Sequence, residues 1–257
     1  MKKVTVEKYQ HLAVVTLNRP EQLNCFDYET LVQLEEAVEE LKLDVEVRTI
    51  IFTGAGEKAF SAGADLKERK HLTEKEVRRN VSKIRDVFNK IEELPQPTIA
   101  AINGYALGGG FELALACDFR YAAPSAVMGL TEVSWAIIPG AGGTQRLSRL
   151  IGISRAKELI LTARKINANQ AEHWGILNKV VQSSLLEEAK ELAAEIMKNG
   201  PLAVRQAKYA INHGSGVDLH TGIALEAKAY EVIIPTEDRL EALEAFKEKR
   251  APVFQGK

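Results

Sequence analysis

Residues 98–122 read TIAAINGYALGGGFELALACDFRYA, and how this stretch divides decides the fold. A five-residue apolar run behind Pro95 and Pro97 predicts a buried strand at Thr98–Ile102. Gly108, Gly109 and Gly110 then lead into residues 111–117, whose Leu and Ala content predicts a short apolar helix, and Phe119–Ala122 reads as the next strand. The stretch is apolar enough to raise a membrane span. Asn103, Glu112 and the glycines interrupt it before about 20 clean residues accumulate, so it reads as core.

The same order of strand, glycine-rich turn and helix extends to both sides. Upstream, residues 3–7 and 12–17 flank Tyr9, Gln10 and His11 as a hairpin would. From Asp27, the helical spacing of Leu31, Leu34, Val38 and Leu41 predicts an amphipathic helix, and residues 48–53 predict a buried strand. Thr73 and Glu76 form a capping box for a helix reaching about Glu93. Beyond Pro139 the pattern turns almost wholly helical, including residues 185–198 and a last helix at 237–249. Strands early and helices late predict an α/β core with a helical tail.

Composition narrows the function. Among 257 residues, 34 Lys+Arg stand against 35 Asp+Glu, a net charge of −1, so no global field gathers phosphate backbones or an anionic membrane. Cys25 and Cys117 each lie in an apolar stretch, outside any CxxC spacing, which argues against a disulfide framework or a zinc site. No apolar segment follows the basic start Lys2-Lys3, so a signal peptide is not expected and the cytosol is the expected compartment.

Two carboxylates stand out as candidate chemistry. Glu112 lies between Phe111 and Leu113 with no cation nearer in sequence than Arg120, and an ionised carboxylate in such surroundings is costly. One reading makes it a cap for a neighbouring loop. The other makes it an acid or base beside backbone amides that the three glycines expose to a developing oxyanion. Glu132 is also flanked by apolar residues and precedes the glycine-rich loop 137–144, so the two glutamates are placed to share one water in general acid and base work.

Three segments together carry a resemblance: residues 59–66 (AFSAGADL), 103–113 (NGYALGGGFEL) and 138–147 (IPGAGGTQRL). The chain resembles the enoyl-CoA hydratase (crotonase) family over nearly its whole length, and residues 128–140 and 235–241 look most like its AU-binding, methylglutaconyl-CoA hydratase branch. The resemblance implies an α/β spiral of ββα turns over residues 1–195 and a C-terminal helical oligomerisation region over 196–257, forming a homotrimer or homohexamer. It implies hydration of a 2-enoyl-CoA, as in fatty-acid or branched amino-acid degradation, with isomerisation as an alternative in the same family. By that likeness Glu112 activates water and Glu132 delivers the proton, while the amides of Ala64 and Gly109 hold the thioester oxygen. Ala62, Asp65, Leu66, Lys67 and Gly140 match substrate- or coenzyme A-binding positions, and Phe246 and Lys249 match tail positions that reach a neighbouring subunit's ligand. Neither a metal nor a redox cofactor is implied. Cys25 and Ala136 depart from the usual small residue and glycine, which puts the fit of the acyl chain and nucleotide in question.

Rival classes rest on thinner signals. Gly54, Gly56 and Ala59 satisfy GxGxxA, which would suit an NAD-dependent oxidoreductase, but Phe60 to Gly63 break the long helix that a dinucleotide site needs. Basic residues between Lys67 and Arg85 raise RNA binding, yet such a run is usually a solvated face. Ser61 lacks the upstream glycine of a GxSxG hydrolase.

Overall fold

The structure is a computed structural model that describes residues 2–257. It opens with β1 (Val4–Tyr9) and β2 (Leu12–Leu17), an antiparallel hairpin turned at Gln10, whose φ is +52°. Next come α1 (Tyr28–Leu43), β3 (Thr49–Gly54), β4 (Ala59–Ser61), α2 (Leu66–Arg69) and α3 (Glu74–Glu92). β5 (Thr98–Ile102), β6 (Tyr105–Leu107), α4 (Gly109–Ala116), β7 (Phe119–Ala122), β8 (Val127–Gly129) and α5 (Gly143–Ile151) follow. The remainder comprises α6 (Ile153–Leu161), β9 (Ile166–Asn167), α7 (Ala168–His173), β10 (Lys179–Val180), α8 (Leu185–Met197), α9 (Pro201–Gly214), α10 (Leu219–Ile233) and α11 (Glu237–Glu248).

Local chemistry explains the main boundaries. Asp27 caps α1, its carboxylate accepting from the Thr30 amide at 2.8 Å, and the expected capping box of Thr73 and Glu76 starts α3. β3 ends at Gly54 and leads through a bend into β4, so the GxGxxA segment opens no helix and the dinucleotide reading fails. The helix expected at 111–117 begins two glycines earlier, at Gly109, so the glycines form its first turn.

From β3 to β8, consecutive strands alternate between two sheets, which makes this part of the chain a spiral. One sheet has the order β1-β2-β3-β5-β7-β10, parallel from β2 onward, and the other has the order β4-β6-β8-β9. Each turn of the spiral thus gives one strand to each sheet and then a helix: β3, β4 and α3; β5, β6 and α4; β7, β8 and α5. Adjacent turns touch backbone to backbone. A Cβ on Gly110 would fall 2.0 Å from the Ser61 carbonyl oxygen, and one on Gly104 2.3 Å from that of Lys58.

Both faces of the larger sheet are covered, so its strands read as continuous apolar runs. Ala13, Val15, Ile50, Phe52, Ala100 and Ile102 face the main core. Leu12, Val14, Ile51, Ile99 and Ala101 face a second cluster closed by Ala189 and Ala193 of α8. Burying side chains of the Ile and Phe size stabilises by roughly 1.5–3 kcal/mol each. The expected division at 195/196 falls in the last turn of α8, a helix that belongs to the core.

The last three helices contrast with this. α9 buries only Pro201 and α10 only Ala229, while Leu219, Ile223, Tyr230, Leu240, Leu243 and Phe246 are exposed. The chain end is nevertheless fastened. Asp238, at the start of α11, accepts from the Gln255 and Gly256 amides, and Arg48 donates to the Phe254 carbonyl at 2.9 Å.

Candidate active site

The glycine turn before α4 opens onto a cavity of about 680 Å³. Gly108 adopts φ +52° and ψ −124°, a backbone conformation suited to glycine, and donates its amide to the Gly129 carbonyl at 2.9 Å. Gly109 is then the first residue of α4, where an amide has no carbonyl behind it to pair with. Across the cavity wall, Gly63 accepts from the Phe26 amide and Asp65 donates to the Phe26 carbonyl. The alternation of an extended segment turns the Ala64 amide the other way. Among the described residues, neither the Ala64 nor the Gly109 amide has an acceptor. The two loops are in contact: a Cβ on Gly63 would sit 3.0 Å from the Gly109 nitrogen. Two unpaired amides at one wall of a cavity are suited to holding a single oxygen on which negative charge develops.

Glu112 projects from the first turn of α4 and is buried. Its Oε1 accepts from the amides of Ala141 and Gly143, both at 2.8 Å. The carboxylate therefore caps the loop before α5, as one of the two readings made from sequence had it, and also lines the cavity. Burial pushes its pKa up, while the two amide bonds and the charge of Arg146 pull it back.

Glu132 begins a 3-10 turn, Glu132–Trp135, that Ala136 closes in the left-handed region at φ +56°. This conformation gives the physical reason why a glycine would suit position 136. The Glu132 Oε2 is buried without a hydrogen-bond partner, and Oε1 lies 3.2 Å from where a Cβ on Gly108 would be. Burial, reinforced by the nearby Glu112 charge, pushes its pKa up to about 7. Burial raises both carboxyls, but their surroundings differ: Glu112 Oε1 accepts from two loop amides, whereas Glu132 is helped only by its own amide and the charge of Arg69, and its Oε2 has no partner.

Of the residues expected from sequence, Ala62, Ala64, Asp65, Leu66, Gly109, Glu112, Glu132 and Gly140 line the cavity. The Asp65 carboxylate is already engaged, bonding Arg19 at 3.0 Å and capping α2 through the Lys67 and Glu68 amides. Lys67, Phe246 and Lys249 do not line the cavity of their own chain. Phe246 is 86% exposed on α11 and Lys249 ends that helix. Asn24 is buried and bonds the Ala55 and Ala59 carbonyls, so the loop holding Cys25 is tied to the spiral. Sequence reasoning missed the Ala141 and Gly143 amides and Arg146. The glycine-rich run ahead of an amphipathic helix was the available signal, since it marks a helix N-terminus in need of an anion.

A ββα spiral with this cavity defines a known class, and the chain belongs to the enoyl-CoA hydratase/isomerase family, whose model matches residues 7–257. It is 50% identical to human mitochondrial methylglutaconyl-CoA hydratase over 255 residues, covering 97% of this chain and 75% of that one. With the short-chain-enoyl-CoA hydratase of Clostridium acetobutylicum it shares 47% identity over 248 residues, 96% of this chain and 95% of the other. The crystal structure of an enoyl-CoA hydratase from Bacillus anthracis superposes with a TM-score of 0.98 at 53% identity, covering all of both chains.

Proposed function

We propose that this protein is an enoyl-CoA hydratase that adds water reversibly across the 2,3 double bond of a 2-enoyl-CoA thioester. The observation that carries this reading is the pair of unpaired amides, Ala64 and Gly109, bordering one cavity with two carboxylates in unlike surroundings. The thioester oxygen accepts from both amides and gains negative charge as water attacks C3. Such preset donors stabilise the enolate-like state without reorganisation, each contributing roughly 2.7–4 kcal/mol. Glu112, ionised, takes the proton from the attacking water, and Glu132, protonated, gives one to C2. Dehydration runs the same transfers backward. The chemistry closes without metal or nicotinamide, so EDTA leaves it intact.

Steady-state hydration of a panel of enoyl-CoA thioesters, followed by loss of the conjugated absorbance, tests the reading. Turnover of at least one member is expected, and none across the panel overturns it. Arg69 and Arg85 line the same cavity; Arg69 lends its charge to Glu132 without bonding it, and the Arg85 guanidinium bonds only the Ser82 hydroxyl among the described residues, which favours a second substrate reading: an acyl chain ending in its own carboxylate, as in methylglutaconyl-CoA. The panel separates it from a plain short acyl chain through kcat/KM.

Assembly is part of the reading. The apolar side chains left exposed on α10 and α11 favour a homotrimer or homohexamer, with residues 196–257 as the assembly region and Phe246 and Lys249 turned toward a neighbour's ligand. Light scattering that finds active monomers overturns this part. RNA binding is disfavoured because Lys83 pairs with Glu35, Arg78 with Glu74, and Arg79 stacks on Tyr28. No helix among the described residues is long and apolar enough to cross a membrane, and we place the enzyme in the cytosol.

A further inference from the structure

Arg146 lies in the first turn of α5 and reaches back over the loop that precedes it. Its Nη1 donates to the Ala141 carbonyl at 2.8 Å. Its Nη2 donates to Asn89 Oδ1 at 2.8 Å and to Glu92 Oε2 at 2.6 Å, both on α3. The side chain is only 10% exposed. Gly142 makes room for it, since a Cβ there would fall 2.1 Å from Nη1, and its φ of +97° suits glycine. Ala141 is therefore held from two sides, by Arg146 at its carbonyl and by Glu112 at its amide.

We propose that Arg146, braced by Asn89 and Glu92, is a positioning residue that fixes the 140–143 loop so that the Ala141 and Gly143 amides aim Glu112 at the reacting water. The inference rests on the hydratase reading. Glu112 Oε1 is taken by the two amides, and Oε2 has no protein partner among the described residues, which leaves it for water. The guanidinium also places a positive charge near a buried carboxylate, which favours its ionised form. Only a planar fork bridges a carbonyl, an amide oxygen and a carboxylate at once, so lysine is a poor replacement.

The test compares Arg146→Gln, Arg146→Lys and Glu92→Gln. In Arg146→Gln, kcat falls about 10²-fold, as expected for a misplaced catalytic group, while KM stays near the wild-type value. Its acid limb of kcat/KM moves to higher pH, because Glu112 then ionises with less help. Arg146→Lys restores the limb, which needs the charge, more than it restores kcat, which needs the fork. Glu92→Gln lowers kcat less and does not move the limb upward, since it removes the brace but keeps the cation. A folded Arg146→Gln variant with wild-type kcat and an unmoved limb overturns the proposal. Should that variant fail to fold, the double change Asn89→Ala with Glu92→Gln decides, because wild-type kcat in it also overturns the proposal. Titration of the Glu112 carboxyl by ¹³C NMR, assigned against Glu112→Gln, reads the charge effect without substrate. Failure of the hydratase reading is thereby distinguishable from failure of this one.

Discussion

Glu112 and Glu132 face one cavity from opposite kinds of structure. Glu112 grows from a helix whose eight residues are all buried, and two amides hold its oxygen in place. Glu132 grows from a short turn of which no residue is fully buried, and one of its oxygens has no protein partner. The fold gives the anion of the first two loop amides, and that of the second only its own amide and the charge of Arg69. The division of labour proposed for them rests on that difference in surroundings, because the side chains are identical.

The largest effect expected is at the supported carboxylate. Glu112→Gln keeps an oxygen that accepts from Ala141 and Gly143, so the loop stays seated, yet it removes the proposed base; kcat is expected to fall by about 10⁴, the upper end for such groups. A native thermal melt with unimpaired turnover would end the comparison at once. Glu132→Gln is expected to cost less, about 10²–10³ in kcat, and because the proposed proton removal at water and proton delivery to C2 serve one addition, the double variant is expected to be far less impaired than the product of the singles. Multiplicative losses would mean independent roles.

The pH profile sharpens the same contrast. With Glu132 as the proposed acid, hydration is expected to fall as pH rises through about 7, and the limb to disappear in Glu132→Gln. Stability moves the other way. A carboxyl whose folded pKa is raised is neutral in both states at low pH, and it opposes folding once pH passes the unfolded value of 4.5. That opposition is complete above about 7 and amounts to at most roughly 3 kcal/mol. Glu132→Gln is therefore expected to be more stable than wild type at pH 8 and equally stable at pH 4, as urea denaturation at the two values would show. The smallest effect is at the turn itself: Ala136→Gly relieves the left-handed strain and stabilises by about 1 kcal/mol. A lower melting temperature in that variant would show that the turn gains more from its methyl group than it loses in backbone strain.

Much of this was legible before the structure. The long elements carried periodicity or caps: α1 through its leucine stripe, α3 through its capping box, β3 and β5 through their apolar runs. The second sheet was not legible, because β4, β6 and β8 have three residues each, too few for an alternation to register. At the site, Glu112 and Glu132 were visible as carboxylates stranded among apolar neighbours, and the amides of Ala64 and Gly109 only through the family's motifs. The donors that distinguish the two glutamates are main-chain N–H groups of Ala141 and Gly143, which every residue but proline possesses. No residue type marks them, and only the path of the chain does.

The contact between Arg48 and Phe254 joins positions 206 residues apart. It closes only after Phe254 has left the ribosome, whereas every strand of the larger sheet precedes position 181. Chains generally fold in units from the N-terminal end as they are synthesised. The spiral is thus set to form first, with the Asp238 clasp and the Arg48 anchor latching last against a finished core.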